Sequence, residues 1–364
     1  MSELRFDERD TMFSRNELQP GTQAYEEYYR IHPEKKPLDD KFRELPGILS
    51  PLSREADPVI YASANSNFSF IDNMQRLVDG PVAVDRVPLS TEDITRYLKT
   101  WILKLGAHSV GITELKEYHI YTVGGRNKRY GIPIKLRHKY ALVYTVEMDA
   151  EMIASAPAAP TIMESAQQYL RAGTIAIQVA MFLRSLGYSA RAHIDANYQV
   201  VAPSLASDAG LGEVGRMSIL MTPKLGPRCR LGVITTELPL ICDTKKTYNS
   251  IIDFCNRCKK CAVVCPSQAI SYTDRTEEHG ILRWKINHEK CFTYWCKAGT
   301  DCARCMAVCP YSYPQTFLHN TVRFLVRHFS LFRKVAPFLD TLFYGKKPPP
   351  KPLREWQKVK TGDD

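Results

Sequence analysis

Two cysteine runs in the last third of the sequence, FCNRCKKCAVVCP at 254–266 and DCARCMAVCP at 301–310, have the residue type and spacing that iron–sulfur clusters require. Thiolates repeated at such short intervals can close around a cubane, so electron transfer is the first chemistry they suggest. The first run supplies Cys255, Cys258, Cys261 and Cys265, and the second supplies Cys302, Cys305 and Cys309 before Pro310. Two 4Fe-4S clusters need about eight thiolates, so one more must come from elsewhere. Cys291 and Cys296 are the candidates. Structural zinc also takes CxxC pairs, but interleaved CxxxCP runs exceed what tetrahedral sites need.

The first run resembles the two-cluster bacterial ferredoxins, in which the fourth thiolate of a run crosses to the other cluster. The resemblance implies one cluster on Cys255, Cys258, Cys261 and Cys309. A second would take Cys265, Cys302, Cys305 and either Cys291 or Cys296. Nine of the eleven cysteines lie beyond position 254, which fits ligation better than disulfide crosslinking.

The elements that must position these residues are legible in the apolar periodicity. A chain of 364 residues is long enough for two domains with extensions. Residues 1–90 are polar and proline-punctuated, with aromatic anchors, and read as an extended arm wrapped on something else. Residues 91–245 form the expected core. TEDITRYLKTWILKLG reads as a helix ending at Gly106; SVGITEL, YALVYTVEM and RLGVITTELP read as strands; TIMESAQQYLRAGTIAIQVAMFLRSLGYSA reads as one long buried helix closed by Gly187. Strands and helices without a regular βαβ repeat imply an α+β sandwich. The cluster domain follows at 246–315, and a basic extension at 316–364.

Two motifs mislead. Gly210, Gly212 and Gly215, followed by Arg216, stand in GxGxxG order, yet no strand precedes them and a β-prone stretch follows, unlike a dinucleotide turn. The glycines are expected to let backbone approach some other flat or anionic ligand, with Arg216 beside it. His108 and Gly111 suggest a lower-ligand histidine loop for cobalt, but the aspartate two residues earlier is replaced by Gly106.

The net charge of +10 is concentrated at the C-terminus: 320–364 holds ten Lys and Arg against four Asp and Glu. There VRFLVRHFSLFRKVAPFLDTLFYG interleaves apolar residues with Arg323, Arg327, Arg333 and Lys334. The simpler expectation is a helix packed on the protein's own core with its arginines turned to solvent. The alternative is an amphipathic helix in peripheral contact with a membrane. No compact module for stacking bases is visible, so nucleic acid is not an expected partner.

Taken in order, LRSLGYSARAH, ANYQV, DAGLGEVGR, TPKLGPRCRLGVITTELPL, the first cysteine run and KCFTYWCKAGTDCARCMAVCP resemble the corrinoid-dependent reductive dehalogenases over about residues 95–315. The resemblance implies a nitroreductase-like, cobalamin-binding α/β sandwich carrying an inserted ferredoxin-like two-cluster domain. It also implies base-off cobalamin beneath the substrate, and Cys291 as the remaining ligand, with Cys296 spare. Tyr169 matches the family's proton-donating tyrosine, Arg230 the arginine that lowers its pKa, and Asn197 a residue that orients substrate or tyrosine; Arg228 and Arg216 are the alternatives to Arg230.

The expected function is therefore a cobalamin- and iron–sulfur-dependent reductase, an oxidoreductase removing halogen from a small organohalide. Electrons would come from a ferredoxin or flavodoxin. With no twin-arginine signal or long apolar run in the sequence, the expected location is the cytoplasm. Competing readings are epoxyqueuosine-reductase-like chemistry and a non-catalytic iron–sulfur electron carrier.

Overall fold

The arm expected to be extended is largely helical in the computed structural model of the protein, which describes residues 5–278 and 281–359. It contains α1 (Met12–Glu17), α2 (Gln23–Ile31), α3 (Lys36–Arg43) and α4 (Pro58–Met74). The side chains of Thr11, Thr22 and Asp57 each accept from first-turn N–H groups, capping α1, α2 and α4. Prolines occupy the first turns of α3 and α4, where a missing N–H costs nothing. Residues that suggested an extended chain thus mark helix starts.

The core begins with α5 (Thr91–Lys104), capped by Ser90. In order follow β1 (Ser109–Glu114), β2 (Tyr140–Glu147), α6 (Ala150–Ala154), α7 (Pro160–Ser185), β3 (Ala190–His193), α8 (Ala202–Asp208), β4 (Glu213–Val214), β5 (Leu220–Met221) and β6 (Cys229–Thr236). One sheet has the order β1-β2-β6-β3, antiparallel throughout, and β4 pairs with β5 in a small hairpin. Strand β3 escaped the sequence reading because Arg191 and His193 interrupt its apolar pattern. Its position against β6 buries both, and Thr235 hydrogen-bonds the His193 ring at 2.9 Å.

Strand β2 is covered on both faces. Leu142, Tyr144 and Val146 join the cluster beneath α7 and α5, whereas Ala141 and Val143 join Leu205 and Ala206 of α8. That alternation is the two-residue period of a strand, and double burial explains its continuous apolar run. Helix α7 is buried along most of its length, and Gly187, at φ +84°, turns the chain out of it.

Tyr144 stands opposite Gly232, and its hydroxyl donates to the Ala172 carbonyl of α7. A Cβ at Gly232 would fall 2.1 Å from the tyrosine ring, so glycine there lets the ring cross β6 and tie the sheet to the helix.

The cluster segment comprises α9 (Asn249–Cys258), α10 (Lys260–Val264), the hairpin β7 (Thr276–Glu278) and β8 (Ile281–Arg283), α11 (His288–Ala298) and α12 (Arg304–Ala307). The arm clasps it. Backbone N–H groups of Gly47, Leu49, Arg54 and Glu55 donate to carbonyls of Cys296, Gly299, Lys297 and Ala298, and buried Arg15 bonds Asp39 and Glu289. The chain ends in α13 (Phe317–His328) and α14 (Ser330–Tyr344).

Gly232→Ala is expected to cost about 1–3 kcal/mol through displacement of the Tyr144 ring, read as a lower midpoint of thermal unfolding. In a Tyr144→Ala background the same change should add little, because the clash has gone.

Candidate active site

Helix α9 places Cys255 and Cys258 three residues apart on one face. Lys259, at φ 51°, then breaks the helix and starts α10, returning Cys261 toward them. Cys255, Cys258, Cys261 and Cys309 together wall one small void, with Arg216 and Phe254. A second set lies beside it: Cys305 has Cys302, Cys291 and Cys265 among its electrostatic neighbours, along with Cys261 of the first set. Cys302 and Ala303 take left-handed backbone, φ 59° and 47°, to enter this second set. The fold thus gathers the thiols in two fours, a donor set suited to two cubanes. Burial pushes the thiols of Cys258, Cys261, Cys291 and Cys302 up to about 12, so iron must displace their protons.

Cys296 faces elsewhere, 1 % exposed in a cluster with Phe42 and Phe292.

Arg216 is buried against the first four thiols. Its guanidinium donates to the carbonyls of Cys255, Ser271 and Thr273 at 3.1, 2.8 and 2.7 Å and stacks 5.0 Å from the centre of the Trp284 ring. The glycine loop does not offer the open cradle expected of it. A Cβ on Gly212 would meet the Met221 carbonyl at 2.2 Å, one on Gly215 the Met221 side chain at 2.5 Å, and one on Gly210 the Thr244 carbonyl at 3.1 Å. The β4–β5 hairpin folds back on the loop, so the close approach these glycines allow is to the protein's own chain.

Tyr169, on α7, meets Arg230, on β6: the guanidinium carbon lies 4.6 Å from the ring centroid. Arg230 is held in turn by Asp301 at 2.6 Å and by Ser165, one turn before Tyr169, while Ser165 also donates to Asp301. Around the pair stand Asp195, Tyr198 and Arg126, each of which shifts, or is shifted by, its charge. These side chains are hemmed in by protein yet keep some accessible surface, as residues lining a cleft do.

Arg230 draws the Tyr169 phenol down, but burial and the Asp195 and Asp301 carboxylates outweigh it, leaving the phenol above its ordinary value. The expected lowering by arginine is present and is overcome. Arg228 is committed elsewhere, to the carbonyls of Ser312 and Met148 and to Glu147. The Asn197 amide oxygen accepts from Arg191 at 2.6 Å. Asp301, Asp195, Tyr198 and Arg126 were not singled out in the sequence, although Asp301 adjoins Cys302.

Arg230 Nε and Asp301 Oδ1 are buried without a hydrogen-bond partner. Such atoms are normally satisfied, so this cleft suits a ligand rich in polar groups, as a corrinoid is. His108 is placed apart, with Glu147, Lys224 and Arg228 as its charged neighbours. A surface depression of 640 Å³ near Pro88 and Tyr97 lies at the start of α5 and carries none of these groups.

Residues 254–313 match a 4Fe-4S dicluster domain, and residues 126–240 match a reductive dehalogenase subunit. The class is thus an iron–sulfur protein built on a reductase core. The resemblance to the corrinoid-dependent reductive dehalogenase family is borne out, and with it two 4Fe-4S clusters and a cobalamin are implied.

The tetrachloroethene reductive dehalogenase of Sulfurospirillum multivorans is 30% identical over 303 residues, 73% of this chain and 58% of that protein. The catabolic reductive dehalogenase NpRdhA in complex with 3-bromo-4-hydroxybenzoic acid superposes with a TM-score of 0.75 at 28% identity, covering 94% of this chain and 46% of that one. The chain spans only about half the length of such relatives. Epoxyqueuosine reductase of Salmonella typhimurium is more distant, 25% identical over 214 residues.

Cys291→Ser should reduce iron from about eight toward about four per chain, as one cubane is lost. Cys296→Ala should leave it unchanged in the same anaerobic iron and sulfide assay.

Proposed function

We propose that this chain catalyses reductive dehalogenation of a small organohalide: the substrate takes two electrons and a proton, a carbon–hydrogen bond replaces the carbon–halogen bond, and halide leaves. The observation that carries this reading is the Tyr169–Arg230 pair in a polar cleft, fastened by Asp301 to the loop that bears Cys302. Tyr169 would supply the proton to carbon. Its raised pKa keeps it protonated at neutral pH, and Arg230 steadies the phenolate left behind. Ser165 and Asp301 keep the guanidinium in place through the cycle. A cobalamin held in this cleft, beside Tyr169 and Arg230, would supply low-potential reducing chemistry toward the carbon–halogen bond.

We read the mixed helix-and-sheet core as a nitroreductase-like sandwich with the cluster segment as a ferredoxin-like insertion. Ferredoxin or flavodoxin is the proposed donor, and the cytoplasm, where such donors are reduced, the proposed location. Among the described residues no helix is long and apolar enough to cross a membrane. An electron carrier would have no need of the Tyr169–Arg230 cleft, which favours the enzyme.

Anaerobic protein loaded with corrinoid is expected to release halide from a halogenated phenol or ethene in the presence of a low-potential reductant. Absence of halide release across both substrate classes, with clusters and corrinoid in place, would refute the assignment. Tyr169→Phe should lower kcat by about 10²–10⁴-fold while iron and cobalt contents stay constant.

The alkaline limb of kcat/KM should lie above the usual tyrosine value of about 10. In Asp301→Asn it should move to lower pH, because a carboxylate that disfavours the phenolate has been removed.

A further inference from the structure

The C-terminal hairpin packs on the core as expected but divides its charges: Arg327 and Lys334 face solvent, whereas Arg323 and Arg333 turn inward. Arg323 is buried and donates to the carbonyls of Tyr313 and Pro314 at 3.0 and 3.3 Å; Arg333 donates to the Val326 carbonyl at 3.0 Å and to Asp253 at 3.3 Å. Arg323 and Arg333 are used to satisfy backbone and carboxylate inside, while Val326 and Ala336 pack on the core and several large apolar side chains are left outside. Phe317 is 89% exposed, and Phe338 and Leu342 are 67% exposed. On α14, Leu331, Val335, Phe338 and Leu342 recur at intervals of four, three and four residues, which sets them in one stripe on its solvent face.

Beside this apolar face the exposed charges have one sign. Arg327, Lys334, Lys346, Lys347 and Lys351 are exposed, whereas the one carboxylate between positions 317 and 351, Asp340, is buried in an ion pair with Lys260; beyond them Arg354 is already paired with Glu151. The hairpin is also set in advance: the His319 ring and the Tyr344 hydroxyl meet at 2.9 Å, tying the start of α13 to the end of α14.

From this geometry we propose that α13 and α14 dock on an anionic lipid surface, with the apolar stripe at the acyl boundary and the lysines among the headgroup phosphates. A second copy of the chain would bring like charges together, and a neutral apolar partner would leave them uncompensated. An anionic bilayer complements both features. Helix α14, with 15 residues, is about 22 Å long, shorter than a bilayer core, so it lies along the surface. Both helices rest on α9, which bears Cys255 and Cys258, so docking would orient the cluster segment relative to the membrane.

The test uses the full chain with its clusters loaded, sedimented with vesicles of phosphatidylcholine alone or with about 30 mol % phosphatidylglycerol, at about 0.15 M and about 0.5 M salt. Binding is expected to the anionic vesicles and to weaken at the higher salt. Phe338→Glu with Leu342→Glu, and separately Lys346→Glu with Lys347→Glu, should each weaken it by about tenfold or more. Because all four residues are exposed, iron content and circular dichroism should not change.

Equal or absent binding to both vesicle types, or binding untouched by either pair of substitutions, would overturn the proposal. So would a concentration-dependent dimer, seen by sedimentation velocity, that Phe338→Glu abolishes while vesicles capture nothing; that result would assign the face to a second copy.

Discussion

A guanidinium deep in a protein is tolerated only when paired, because an uncompensated charge in a poorly solvated site costs several kcal/mol. Arg230 meets that condition through Asp301, and most of the site depends on this ion pair. It joins β6 of the core to the residue next to Cys302, while Ser165 brings in the same turn of α7 that leads to Tyr169. Three segments far apart in the chain thereby share one polar knot. The phenol, the cation above it and the loop entering the second set of thiols cannot shift independently. On the proposed reading, this coupling would keep proton delivery and electron delivery in register.

The thiol sets show a different economy. A helix of ten residues presents Cys255 and Cys258, and a left-handed residue, Lys259, restarts the chain for Cys261. The fourth member, Cys309, arrives from the other run. Buried thiols with raised pKa values are poor anions on their own, so this arrangement suits folding coupled to iron binding. The N-terminal arm closes over the far end of α11 with four backbone hydrogen bonds, stiffening the segment that carries Cys291 and leads to Cys302.

The C-terminal hairpin illustrates how a helix chooses its faces. Alternating arginines and aromatics allow either set to turn inward. Carbonyls of Tyr313, Pro314 and Val326 draw Arg323 and Arg333 inward, since unsatisfied buried acceptors and solvent-exposed guanidinium groups gain together when they meet, while Arg327 stays in solvent. Phe317, Leu331, Phe338 and Leu342 are then left on the outer face.

Cysteine spacing, the buried 26-residue helix and the apolar runs of β1, β2 and β6 could be read directly from the sequence, because each depends on contacts within a few residues or on simple periodicity. The family resemblance added Tyr169 and Arg230, whose contact the fold makes. Four things were decided by tertiary structure alone: the helical form of the arm, the pairing of Asn197 with Arg191, the closure of the glycine loop by Met221, and the entry of Asp301 and Asp195 into the cleft. In each case the outcome depends on which distant group arrives to satisfy a hydrogen bond, fill a space or balance a charge, and local sequence carries no record of that partner.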